Sequence, residues 1–301
     1  MTISPKIISA PAFRIGRYDE QIQALREACA WAGIDKGRAS QYDRYIRELF
    51  ENKGQSKEHM LALNESFEVV DIWIYWKDIV EEFPGLLERI RDSLQKGPLL
   101  REGENPATRG ASNKPRNDAF VYLLSGVLVS KRKDVLCIDG IGRRNSSCTV
   151  TSDVVLRMNQ LELSIECKRP NSEGALNRRT KEARSQIDGR PGVIAIDCSS
   201  VVRPPGKVIE KNSGEAAEEF LSDLLKEQIK PKIEKLLLPN LLGFILFARS
   251  PAMTPVYHSR IVAASGIPLE SRYRPDCIAT WLLVENSNGA HVGVLERVLG
   301  A

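Results

Sequence analysis

SDVVLRMNQLELSIECKRP, Ser152 to Pro170, contains two short β-patterned runs on either side of Asn159-Gln160. SDVVLRM (152–158) and LELSIECKR (161–169) are rich in aliphatic and β-branched residues, and the polar pair between them predicts a hairpin. Side chains on a strand alternate faces with period two. In the second run Leu161, Leu163, Ile165 and Cys167 point one way, and Glu162, Ser164, Glu166 and Lys168 point the other. The first set is apolar and suited to packing on a layer of helices. In the first run Val154, Leu156 and Met158 form the apolar set, which puts Asp153 on the face that carries Glu166 and Lys168. Two carboxylates meeting across a hairpin repel each other, and a hard divalent cation with oxygen ligands neutralises them. Such a cation polarises a phosphoryl oxygen and lowers the pKa of water. A neighbouring ammonium stabilises negative charge in the transition state. The same Glu-x-Lys taken alone also reads as a solvated cross-strand charge pair. The upstream Asp, the alternation, the basic helix that follows and the buried strand after it favour phosphodiester hydrolysis.

The rest of the composition is ordinary for a soluble globular chain of 301 residues, with 42% hydrophobic and 27% charged residues. No basic-then-apolar leader opens the sequence, and the most apolar segment, 236–248, is interrupted by Pro239-Asn240. That segment is also short of the roughly 20 apolar residues a membrane span needs. Six scattered cysteines without a CxxC, and histidines only at 59, 258 and 291, argue against a zinc site. A cytoplasmic protein with reduced thiols and no membrane association is expected. The net charge of +4 is uneven: residues 1–97 hold 14 Lys/Arg against 16 Asp/Glu, and 98–301 hold 29 against 23. That surplus favours a polyanionic partner.

The first third reads helical, over 18–33, 42–54 and two further helices between Ser56 and Lys96, broken near Phe83-Pro84-Gly85. Trp73, Tyr75 and Trp76 are expected as helix packing rather than a base-stacking platform. The Gly/Pro/Asn-rich stretch 96–117 marks a boundary between a helical region (1–97) and a second domain (98–301). Beyond it come a helix over 117–132 capped by Asn117, strands at 134–140, 152–158 and 161–169, and a polar helix over 172–189. Strand 192–200, a helix over 214–237 kinked near Pro231, and strands 241–250 and 277–287 complete the order. This is an α/β layout with a mixed β-sheet flanked by helices. GIGRR (140–144) lacks the third glycine and the helix of a dinucleotide fingerprint.

These residues carry a resemblance. Ser152 to Pro170 looks like the core of the PD-(D/E)xK nuclease superfamily, the restriction-endonuclease-like fold, and the likeness covers about residues 116 to 200. It implies that Asp153 and Glu166 are metal ligands and that Lys168 is the catalytic lysine. It further implies that the backbone carbonyl of Cys167 completes the metal shell and that Gln186 stands beside the active site. Ser152 replaces the usual proline, and Val121 stands where many members carry a helix glutamate. Asp118, one turn earlier, either substitutes for that glutamate or is simply a helix N-terminal acid. The implied activity is Mg²⁺- or Mn²⁺-dependent hydrolysis of phosphodiester bonds in DNA, by analogy in bacterial restriction or phage defence. The alternative is an inactive nuclease-fold module that binds nucleic acid or a partner protein. Arg143, Arg144, Arg169, Arg178, Arg179, Lys181 and Arg184 are the candidate phosphate contacts. The N-terminal helices would serve recognition, regulation or assembly, as a homodimer or with a partner protein.

Overall fold

Helical periodicity in the first hundred residues is realised as helices α1 (Tyr18–Ala32), α2 (Lys36–Phe50), α3 (Lys57–Trp76) and α4 (Leu86–Lys96). The structure is a computed structural model that describes residues 7–8, 18–50, 56–96, 114–144, 146, 148, 152–158, 161–187, 191–203, 208–237, 241–255, 273–286 and 298. The 97/98 boundary, the Asn159-Gln160 turn and the Gly189 helix stop lie outside these residues. Helix α2 begins at Lys36 rather than at Tyr42, because the Asp35 carboxylate accepts the Arg38 N–H at 2.9 Å and caps the first turn. A short 3₁₀ turn, Val80–Glu82, separates α3 from α4, as the Phe83-Pro84-Gly85 break predicts.

Helix α5 (Lys114–Ser130) opens the second half, and Asn117 lies inside its first turn rather than capping it. Then come β2 (Asp134–Ile138), β3 (Ile141–Gly142), β4 (Val154–Met158), β5 (Leu161–Lys168), α6 (Glu173–Ile187) and β6 (Gly192–Asp197). The chain continues through α7 (Ser199–Val202), β7 (Ile209–Glu210), α8 (Gly214–Leu224), α9 (Lys230–Ile233), β8 (Leu241–Pro255) and β9 (Tyr273–Glu285). The 214–237 helix is interrupted by a π turn, Leu225–Ile229, just before Pro231, whose missing N–H cannot continue the helical ladder. With β1 (Ile7–Ile8), the described strands form one sheet in the order β1-β9-β8-β6-β5-β4-β2-β3, and β7 pairs β8 off this path. The β5–β6, β6–β8 and β7–β8 pairs are parallel and the others antiparallel, so the sheet is mixed.

Alternation divides the core into two layers. Val193 and Ala195 of β6 join one hydrophobic cluster with Phe120 and Leu124 of α5 and with Leu163, Ile165 and Cys167 of β5. Ile194 and Ile196 face the other side, packing with Leu176 and Ala183 of α6 and Leu221 of α8. β6 is therefore buried on both faces, as a parallel strand between two helix layers must be. The first cluster also takes in Leu25, Ala28, Trp76 and Ile90, so the N-terminal helices share a core with the sheet. Trp76 is fully buried, donates from Nε1 to the Tyr122 carbonyl at 2.8 Å, and meets Phe83 edge-on. Gly126 permits this approach: a Cβ there would stand 2.8 Å from Trp76 Nε1. Cys137 and Cys148, expected as free thiols, are joined in a disulfide with Cα atoms 5.7 Å apart, which links β2 to the segment after β3. Cys29, Cys167, Cys198 and Cys277 are free and buried. Among the described residues no helix is long and apolar enough to cross a membrane.

Candidate active site

Strands β4 and β5 pair antiparallel, with Val154 opposite Ile165 and Leu156 opposite Leu163. One step further in that register sets Asp153 opposite Glu166. Lys168 Nζ lies 3.2 Å from Glu166 Oε2 and 3.7 Å from Asp153 Oδ2, so the three expected residues meet. Asp153 Oδ2 also accepts the backbone N–H of Cys167 at 2.7 Å, while the Cys167 thiol faces the core. The shared polar face is far from solvated. Glu166 is 2% exposed, and Ser152 and Ser164 are buried with it.

Burial is what governs the charges. It pushes the Glu166 carboxyl up to about 7, the nearby Asp153 charge adds to the rise, and Lys168 opposes it. Burial also lifts Asp153 above the usual carboxylate range, against the pull of Lys168 and the Cys167 N–H. Both acids hold their protons more tightly than free carboxyls, chiefly because they are buried.

A cleft of about 800 Å³ opens in front of Asp153 and Lys168. Its first wall holds Lys114, Asn117 and Asp118 from α5. Asp118 thus borders the site, where Lys114 Nζ holds it at 2.7 Å. Burial raises the Asp118 carboxyl, Lys114 opposes the rise, and Asp139 and Asp153 add to it. Asp139 is a carboxylate that the sequence reading places within the 134–140 strand and gives no role. It sits between β2 and β3 with φ 47°, donates its N–H to the Asp153 carbonyl at 2.8 Å, and lines the cleft. The Tyr122 hydroxyl reaches its carboxylate at 3.4 Å. Its place follows from the β2–β4 pairing of Ile138 with Val154, which no local pattern reveals.

The opposite wall is α6, started by the Ser172 hydroxyl, which accepts the Ala175 N–H at 3.2 Å. Arg178, Arg179, Ser185 and Gln186 line the cleft, so Gln186 shares it with Asp153 and Lys168. Arg179 pairs with Glu182 at 2.8 Å, and Arg178 is the more exposed of the two arginines. Lys181 and Arg184 share the helix, but neither lines the cleft. The remaining expected phosphate contacts do other work. Arg143 Nε donates to Glu82 at 2.9 Å, and the Arg144 N–H donates to the Glu82 carbonyl at 2.7 Å, tying β3 and the residues after it to the 3₁₀ turn. Arg169 borders the cleft, but its guanidinium is buried against Glu68 and Asp197, which corrects its expected role as a surface contact.

Oxygen donors of this kind suit a hard divalent cation, and the raised carboxyls of Asp153 and Glu166 are what such a cation would relieve. Among the described residues no group of three Asp, Glu, His or Cys side chains is gathered closely enough to hold an ion without rearrangement. Comparisons with protein-family models, with curated proteins and with solved structures found no match.

Proposed function

We propose that the chain is a divalent-metal-dependent nuclease of the PD-(D/E)xK type acting on DNA, with α5, β2, β4, β5, α6 and β6 as its restriction-endonuclease-like core. The observation that supports this reading is the meeting of Asp153, Glu166 and Lys168, of which Asp153 and Lys168 line a cleft that Arg178 and Arg179 also line, while Glu166 is buried. Asp153 and Glu166 would hold Mg²⁺ or Mn²⁺, with the Cys167 carbonyl and Asp118 as further ligands. When bound, the ion supplies Lewis acidity toward a phosphoryl oxygen and a lowered pKa for water. Lys168, half-buried between the two carboxylates, presents an ammonium to the charge that develops on the phosphoryl oxygens. Arg178 and Arg179 hold flanking phosphates across the cleft, and Gln186 offers its amide to substrate or water. A role in bacterial restriction or phage defence rests on family analogy alone.

A second reading, a nucleic-acid-binding module without catalysis, draws on Asp118, which is engaged by Lys114 where the family's helix acid would serve the metal. One experiment decides between them. Purified protein is incubated with circular single- and double-stranded DNA and with RNA, in Mg²⁺, Mn²⁺ or EDTA, beside Asp153→Ala and Lys168→Ala variants. Metal-dependent cleavage lost in both variants is the expected result. Binding without cleavage supports the second reading, and cleavage undiminished in the variants rejects the assigned residues.

A further inference from the structure

We propose that Glu68, on α3 of the N-terminal helical region, is a positioning residue for Lys168, acting through Arg169; as a statement about catalysis this rests on the nuclease reading above. Arg169 follows Lys168 at the end of β5, and its side chain is 7% exposed. Its Nη1 and Nη2 meet the two Glu68 oxygens at 2.6 and 2.7 Å, a two-pronged pair that fixes direction as well as distance. Nη1 also donates to the Arg116 carbonyl in the first turn of α5 at 3.1 Å. Nε lies 2.6 Å from Asp197 Oδ2 at the end of β6, and the other Asp197 oxygen accepts the Ser199 N–H at 2.8 Å. One guanidinium therefore joins α3, the α5 turn that carries Asp118, the end of β6 and the residue after Lys168.

Helix α3 makes this attachment twice. Asp71, one turn beyond Glu68 and on the same helix face, pairs with buried Arg249 of β8. Two acids of one helix thus meet the sheet at separate strands, which fixes both the height and the rotation of the helix layer. The chain leaves β5 as irregular backbone after Lys168, so in the absence of this hub the lysine would sit at a loose strand end. A buried ion pair adds little net stability compared with an apolar substitute, whereas its geometry is specific. The pair is therefore better placed to position than to stabilise.

The test uses the full chain with its lysines reductively ¹³C-dimethylated, the Lys168 methyl signal being identified by its absence in Lys168→Arg. Glu68→Gln is expected to shift or split that signal while the other lysine signals stay in place, with kcat reduced roughly tenfold and KM within about twofold. Glu68→Asp, which keeps the charge on a shorter arm, is expected to restore part of both and serves as the readout if the Gln variant does not fold. A Lys168 signal unchanged in a folded Glu68 variant overturns the proposal, whatever the protein cleaves. A shifted signal in a protein whose wild type cleaves nothing supports the positioning and rejects the nuclease reading.

Discussion

The carboxylate of Asp153 accepts a 2.7 Å hydrogen bond from the backbone N–H of Cys167, the residue between Glu166 and Lys168. A side chain immediately before β4 is thereby fastened to the main chain of β5 between Glu166 and Lys168. The bond separates two roles of Asp153, charge and anchoring. Asp153→Asn keeps an acceptor for the Cys167 N–H and removes the charge, so its stability should stay within about 1 kcal/mol of wild type. Asp153→Ala removes both and should cost about 1 kcal/mol more by urea unfolding. On the proposed nuclease reading, both should lose metal-dependent nicking of plasmid DNA by roughly a hundredfold or more. An Asn variant that nicks at the wild-type rate would remove Asp153 from the proposed metal site.

The arginines divide by what they touch. Arg178 and Arg179 line the cleft from α6, so replacing both by Ala should weaken duplex binding and flatten the plot of log K against log salt by about 2. Arg169→Ala should behave differently, because Glu68 and Asp197 would be left as buried, unpaired acids. Its expected effect is a loss of roughly 3–5 kcal/mol of stability. Fluorescence anisotropy across a salt series, alongside denaturant unfolding, distinguishes the two. Equal salt slopes in wild type and the Arg178/Arg179 variant would mean that α6 does not face the nucleic acid.

This division shows where local reasoning about the sequence ends. Asp153, Glu166 and Lys168 are legible because strand alternation and a short hairpin are local features, and the β4–β5 register places them as that pattern requires. Arg169 differs from Lys168 by one position, yet its partners, Glu68 and Asp197, come from a distant helix and from another strand. A count of basic residues cannot tell it from Arg178. Asp139 is missed for a similar reason, since Asp-Gly is a turn signal and its nearness to Asp153 depends on β2 pairing with β4. Helix periodicity finds α3 but not what it rests on. The cluster joining Trp76 to Phe120 and Ile165 makes the N-terminal helices one wall of the same core.

That shared core turns on a close approach at Gly126. An alanine Cβ would stand 2.8 Å from both Nε1 of the fully buried Trp76 and Cβ of the half-buried Tyr75. In an open helix Gly→Ala stabilises by about 1 kcal/mol. Here overpacking, typically about 1–3 kcal/mol, outweighs that gain. Gly126→Ala should therefore unfold at lower urea than wild type, and near-ultraviolet circular dichroism should report a changed Trp environment. A stabilised variant would show that α3 and α5 do not pack this closely.

Because burial outweighs the Lys168 ion pair, Glu166 makes stability depend on pH in the direction opposite to that of a carboxylate whose pKa is lowered by its partner. Its folded carboxyl is raised from 4.5 to about 7, so the native state holds the proton more tightly than the unfolded chain. The stability this confers is fully present below about pH 4.5 and is lost as pH rises through about 7. Glu166→Gln keeps a neutral side chain at every pH. The variant and wild type should be close near pH 4.5, and the variant should be more stable by roughly 2–3 kcal/mol at pH 8, since the group is 2% exposed. If Glu166 is a ligand as proposed, Mg²⁺ favours its ionised form, so adding Mg²⁺ at pH 8 should raise the melting temperature of wild type and leave Glu166→Gln unmoved. Thermal unfolding of both proteins between about pH 4.5 and 8, with and without Mg²⁺, measures this directly. Parallel curves with no metal response would show that Glu166 is neither held near neutrality nor a ligand.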